Sequence, residues 1–181
     1  MGRTEAALGF RAHSGWAVMV AAAGGKPVLR RRIEMIREGG FRANQPYHAA
    51  ADMPIEEAAP FLKRTEEDAI EMAAAQIREV LSALAGEGYG VRRAAVLLGA
   101  GKPLPDLPKI LAAHPLIHTA EGVFFRHILT SACERCGLKV AGIRERDLPA
   151  DLVARMSPLG KVLGPPWTQD EKLATAAAAA K

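Results

Sequence analysis

Two glycine-bearing turns, His13-Ser14-Gly15 and Gly24-Gly25-Lys26-Pro27, cut the first 36 residues into three short runs, "AALGFRA", "WAVMVAAA" and "VLRRRIEMI". Each run is short, largely apolar and bounded by turn residues, which is the signature of a β-strand. Glycine adopts the positive φ of a tight hairpin without steric cost, and so short a turn can join only antiparallel neighbours. The chain therefore opens as a three-stranded antiparallel meander, and whatever follows has to pack on that sheet. Alternation along the third run sets Leu29, Arg31, Ile33 and Met35 on one face, so Arg31 is expected among apolar neighbours. A guanidinium there must meet a carboxylate or face a ligand pocket, because burial without a partner costs several kcal/mol.

After the meander the period changes from two to about 3.6 residues. Residues 37 to 65 are broken by Gly39, Gly40, Asn44, Pro46, Pro54 and Pro60, and read as a long loop with one short helix near 54 to 59. Tyr47 and His48 lie on that loop. Ile70, Ala73, Ala74, Ile77, Val80, Leu81 and Leu84 form a helical stripe over residues 66 to 86, with Thr65 as its expected cap and Asp68 three residues on. A buried strand, "VRRAAVLLGA", follows. Then come a short helix over 106 to 113, a helix from Pro115 to Cys136, a strand "LKVAGIRE" and a helix over 149 to 157. Three antiparallel strands followed by crossover units predict an α/β fold with a mixed sheet and helices on both faces. Residues 1 to 163 make one domain. Residues 164 to 181 read as a Gly-Pro-Pro-Trp break and an alanine-rich tail helix, capped by Thr168 and Glu171, that has little to bury.

Composition excludes several classes. Two cysteines in 181 residues are no disulfide framework. No apolar run reaches the roughly 20 residues a membrane helix needs, and no leader pattern stands at the start, so a cytoplasmic protein without a membrane partner is expected. Aromatic residues are 5% of the chain, too few for a platform of stacked bases. The formal net charge of +4 is matched by residues 26 to 42 alone, which hold six basic and two acidic residues. Such a stretch is either a solvated strand face or a seat for nucleic acid.

The histidines carry the most specific signal. Three of five, His114, His118 and His127, fall within "HPLIHTAEGVFFRHIL". On a helix His114, His118, Glu121 and Phe125 share one face, and His118 and Glu121 can touch. Such a pair is a general base with its orienting carboxylate, a surface ion pair, or two ligands of a metal completed by His48 or His13. The first is preferred to the metal. His118, Glu121, His13 and His48 are thus the candidate catalytic residues, and Arg31, Tyr47, His114 and Arg126 the candidate binders of an anionic substrate. No metal ligand is assigned, and the cofactor stays unknown. Cys133-Glu134-Arg135-Cys136 lacks the second half of a zinc site and ends a helix where redox motifs begin one. Gly99-Ala100-Gly101-Lys102 lacks the spacing of a phosphate loop.

The order of elements resembles the ribonuclease-H-like fold of Holliday-junction resolvases and actin-like sugar kinases, over residues 5 to 157. "LGFRAHSGWAVMVA" is similar to the first hairpin of the resolvases, with Gly15, Trp16, Ala17 and Val18 at the expected places. The segments "HSGWA", "PYHAA" and "HPLIHTAEG" also resemble an uncharacterised bacterial family. The resemblance implies the fold. Nucleases of this fold hold magnesium with a first-strand aspartate, and Gly9-Phe10-Arg11-Ala12 has no acid, so two-metal cleavage is not expected. Three readings follow. One is a small-ligand-binding protein or acid–base or hydrolytic enzyme for an anionic molecule. The alternative is a non-catalytic nucleic-acid-binding module. The third is a partner-binding protein or homo-oligomer docked through Trp167 and the tail.

Overall fold

The structure, a computed structural model, describes residues 2–37, 44–101 and 103–180. The meander forms as β1 (Thr4–Ala12), β2 (Trp16–Ala23) and β3 (Lys26–Glu34). Gly24 and Gly25 both have positive φ, the backbone of a hairpin turn matched to strand twist. Gly15, at φ +82°, is required twice over, because a Cβ there would stand 2.5 Å from the Asn44 side-chain oxygen. Next come helices α1 (Pro46–Ala51) and α2 (Ile55–Gly86), strand β4 (Tyr89–Leu98), helices α3 (Leu107–Leu111) and α4 (His114–Arg135), and strand β5 (Lys139–Arg144). Helices α5 (Ala150–Met156), α6 (Gly160–Leu163) and α7 (Gln169–Ala179) close the chain. The sheet order is β3-β2-β1-β4-β5, with β4 parallel to β1 and β5 parallel to β4. The expected mixed sheet with helices on both faces is what forms.

Helices α2 and α4 cover one face. Leu8, Phe10, Met19, Ile33, Ile77, Leu84, Val96, Phe125, Ile128 and Leu129 meet there with almost no exposure. Helix α2 begins at Ile55 rather than near 66 and runs through Pro60. A proline inside a helix removes a hydrogen bond and costs about 3 kcal/mol. Burial of Ala58 and Leu62 against Ala50 of α1, with Tyr47 and Phe61 beside them, offsets that cost. Thr65, expected as a cap, sits inside this helix and donates its hydroxyl to the Phe61 carbonyl at 3.0 Å.

Helix α7 covers the other face, so the tail buries far more than its composition suggests. Ala174, Ala176 and Ala177 are wholly buried. Small side chains let the helix backbone lie directly on the sheet. At Gly9 of β1 a Cβ would stand 1.9 Å from the Ala174 carbonyl oxygen. The predicted capping box is present, with Glu171 accepting from the Thr168 backbone N–H at 2.7 Å. Both ends of the tail are tied down. Arg30 of β3 donates to the carbonyls of Gly164, Pro165 and Pro166. The Trp167 indole N–H donates to Met156 at 2.9 Å, and Arg93 of β4 reaches the Ala180 carbonyl at 2.7 Å. Trp167 thus docks on its own chain.

Arg31 has the face that alternation gives it but not the burial. Strand β3 is the sheet edge, and the long side chain leaves the helix layer for solvent. Cys133 and Cys136 close α4, with Cys133 fully buried and its thiol pushed far up by burial first and by Cys136 and Glu134 next. Among the described residues no helix is long and apolar enough to cross a membrane.

Candidate functional site

Beyond the C-terminal end of β1 the sheet and α4 diverge and leave a hollow of about 240 Å³. Open α/β sheets bind ligands at the carboxyl ends of their parallel strands, and this is such a place. Ala12, His13 and Ser14 line it from β1 and its turn, and His118, Glu121, Gly122, Phe125 and Arg126 from α4. Larger hollows of about 570 and 590 Å³ lie elsewhere on the chain, without a histidine in their walls.

Arg126 is the unusual member. Its guanidinium is half-buried, and burial lowers its basicity. Yet it makes no ion pair among the described residues. It lies beside Gly99, after β4, and Gly122 of α4, where a Cβ would stand 2.6 and 3.0 Å from Nη2. Those two glycines make the space for it. Gly99, set aside as a failed phosphate loop, therefore has a steric role, whereas Lys102 lies outside the described residues.

His13 is held from two sides. Its ring stacks on Trp16 with centroids 4.2 Å apart, and Nε2 meets Asp170 Oδ2 of α7 at 2.8 Å. Asp170 also accepts from Arg11 at 2.6 Å. A carboxylate only accepts, so Nε2 carries the proton and the lone pair of the neutral ring falls on Nδ1.

The second polar group is built from α1 and the first two turns of α4. His48, His114 and His118 stand edge to face, with ring centroids 5.2, 4.8 and 4.4 Å apart. One ring nitrogen from each lies within 4.8 Å of the others. Glu121 sits beneath them at 3% exposure, on the same stripe of α4 as Ile117, Phe124 and Ile128. Its Oε1 accepts from the His48 backbone N–H at 3.3 Å and from Nδ1 at 3.0 Å. The expected His118–Glu121 contact is therefore replaced by a His48–Glu121 bond. Helical spacing allowed the first, but α1 brings a closer donor.

The hollow thus gathers His13, His118, Glu121 and Arg126, with His48 and His114 packed on His118. Tyr47 turns inward instead, edge-on to Phe124 at 5.8 Å, and its hydroxyl pKa is raised by burial and then by Glu66 and Glu121. Arg31 is not part of the group, and lines a separate hollow with Trp16 and Thr168. The basic stretch is partly spent on the fold. Arg30 holds the tail, and Arg32 lies over Trp16 at 3.7 Å and pairs with Glu34. Arg42 and Glu38 lie outside the described residues. Sequence reading missed Asp170, Ser14, Gly99 and Gly122. The capping box placed Asp170 near a helix start, but nothing in the order of residues put that helix beside His13.

This order of strands and helices is the ribonuclease-H-like fold. Among solved structures the chain is similar to Thermus thermophilus RuvC in complex with a Holliday-junction substrate, at 13% identity and a TM-score of 0.53, over 96% of this chain and 90% of that one. A second structure of Thermus thermophilus RuvC matches at 13% identity and a TM-score of 0.45, over the same shares. No protein-family model and no curated protein matches the chain, so the likeness to the junction-bound structure establishes a fold, and the resembled bacterial family is left without support.

Proposed function

We propose that the hollow beside β1 binds a small anionic molecule, held by Arg126, with His13 as the acid–base group that acts on it. One observation carries this reading: a half-buried guanidinium without an ion pair among the described residues lines the same hollow as two histidines. A desolvated arginine left without a carboxylate costs stability, and an anionic ligand supplies the missing partner. His13, with Nε2 on Asp170 and Nδ1 free to accept, has the arrangement of an oriented general base. The reaction class this supports is hydrolysis or proton transfer on a substrate bearing a phosphate or carboxylate. Titrating inorganic phosphate while recording the thermal midpoint tests the binding step. The wild type gains stability with phosphate and Arg126→Gln does not; equal gains in both would refute the assignment. A panel of small phosphate and carboxylate esters tests the chemistry, with turnover expected to fall at least about 100-fold in His13→Ala. No turnover by the wild type leaves a binding protein and no enzyme.

A nucleic-acid-binding module is the second reading. It is favoured by the likeness to a resolvase solved on a Holliday junction and by Lys26, Arg31 and Arg37, which stand exposed along and after β3. The first-strand stretch without an acid speaks for binding without two-metal cleavage. Fluorescence anisotropy with duplex and four-way-junction DNA decides it. Affinity that falls steeply as salt rises supports it, and no binding at low salt ends it.

A further inference from the structure

We infer that His48, His114 and His118 bind one divalent transition-metal ion of the zinc class, with Glu121 as the carboxylate that orients His48. Three imidazoles from two helices converge so that one nitrogen of each lies within 4.8 Å of the others. A tetrahedral ion about 2.1 Å from each nitrogen would set those atoms about 3.4 Å apart, so the rings need to close by at most about 1.4 Å. His114 and His118 are exposed at the start of α4, on the same side of the helix, and can turn to do so. His48 is the fixed ligand. Nδ1 donates to Glu121, which leaves the Nε2 lone pair for the metal.

Glu121 gives independent support. It is a carboxylate at 3% exposure in the apolar stripe of α4, and its bonds among the described residues go to His48 alone. A buried anion needs a cation, and no lysine or arginine pairs with it among the described residues. An ion held by the three rings would place positive charge beside it. Metal-bound histidines almost always give their other N–H to a carboxylate or carbonyl, and that is the His48–Glu121 arrangement. Imidazole donors suit zinc, copper and nickel better than magnesium or calcium, which want oxygen. Three protein ligands would leave the fourth position of a tetrahedral ion to water or a ligand. His118 also lines the hollow with Arg126, so the two sites share a wall.

The anion reading is not needed for this inference, and the two fail separately. Chelator-treated full-length protein is titrated with Co2+ and then Zn2+, following the visible ligand-field bands of Co2+ and metal content after dialysis. One ion per chain is expected, with the intense bands of a four-coordinate centre. His114→Ala and His118→Ala, at exposed positions that do not hold the core, should each weaken binding by at least about 100-fold. Glu121→Gln should weaken it by about 10- to 100-fold. His127→Ala, on the same helix away from the cluster, and Arg126→Gln should leave it unchanged. Failure of the wild type to retain one ion overturns the site. So does binding that His114→Ala and His118→Ala leave intact. Binding indifferent to Glu121→Gln reduces the cluster to a surface chelate and refutes the role given to the carboxylate.

Discussion

The carboxylate of Glu121, buried under α4, takes two hydrogen bonds from one residue, His48, through its backbone N–H and its Nδ1. That bond ties the short helix α1 to the helix carrying His114, His118 and Arg126, and so sets the geometry of both polar groups. It also makes a strong coupling expectation. His48→Leu leaves a buried charge with one donor fewer and should cost about 1–3 kcal/mol. Glu121→Leu strands two N–H groups at a similar cost. The double variant removes both partners and should cost well under the sum, with a coupling of about 0.5–3 kcal/mol. Urea unfolding of the four proteins measures it, and additivity within about 0.5 kcal/mol would mean the bond holds nothing in place.

Gly9 and Ala174 predict how far the tail helix belongs to the fold. Gly9→Ala would put a methyl group 1.9 Å from a carbonyl of α7, and backbone cannot step aside as a flexible side chain can. Overpacking of this kind costs about 1–3 kcal/mol or more. The thermal midpoint should drop by several degrees and the Trp167 fluorescence should change with it, because Trp167 leads into α7. An unchanged midpoint would mean that the helix lies on the sheet without load.

Arg126 should behave as a group kept for a ligand. Arg126→Met keeps the volume and removes a half-buried charge that has no ion pair among the described residues. The apo protein should be unchanged or up to about 1 kcal/mol more stable, while phosphate should cease to stabilise it. A loss of more than about 2 kcal/mol without ligand would assign the arginine to structure instead.

The thiols at the end of α4 give a pH dependence with a definite sign. Burial raises the pKa of Cys133 and of Cys136 above the ordinary thiol range. The unfolded chain therefore releases these protons at a lower pH than the folded one, and stability is lost as pH rises past the ordinary thiol pKa. The buried Cys133 thiol contributes up to about 1.4 kcal/mol per pH unit over that window. Cys133→Ala should flatten the fall measured by urea unfolding between pH 8 and 10. In the native protein Cys133 should also react slowly with a disulfide reagent at pH 8 and rapidly in urea. Fast labelling of Cys133 in the folded protein would contradict its burial.

Much of the architecture was legible because it rests on local rules. The glycine turns fix the meander, the stripe from Ile70 to Leu84 and the run from His114 to Cys136 give the two large helices, and Thr168 with Glu171 marks the start of the last one. The extension of α2 back to Ile55 was not legible, since a proline reads as a stop until burial of Ala58 and Leu62 outweighs it. Arg31 was misplaced for a related reason, as alternation assigns a face but not whether the strand lies at the edge of the sheet.

What the sequence determined by itself is the order of strands and helices and which residue types could do chemistry, because period, turn and cap act over a few residues. What tertiary structure alone decided is partnership. His13 found Asp170 across 157 positions, His48 found Glu121 across 73, and an alanine tail found a glycine on β1. Such contacts depend on where whole elements come to rest, and that is set by packing of the entire chain rather than by any stretch of it.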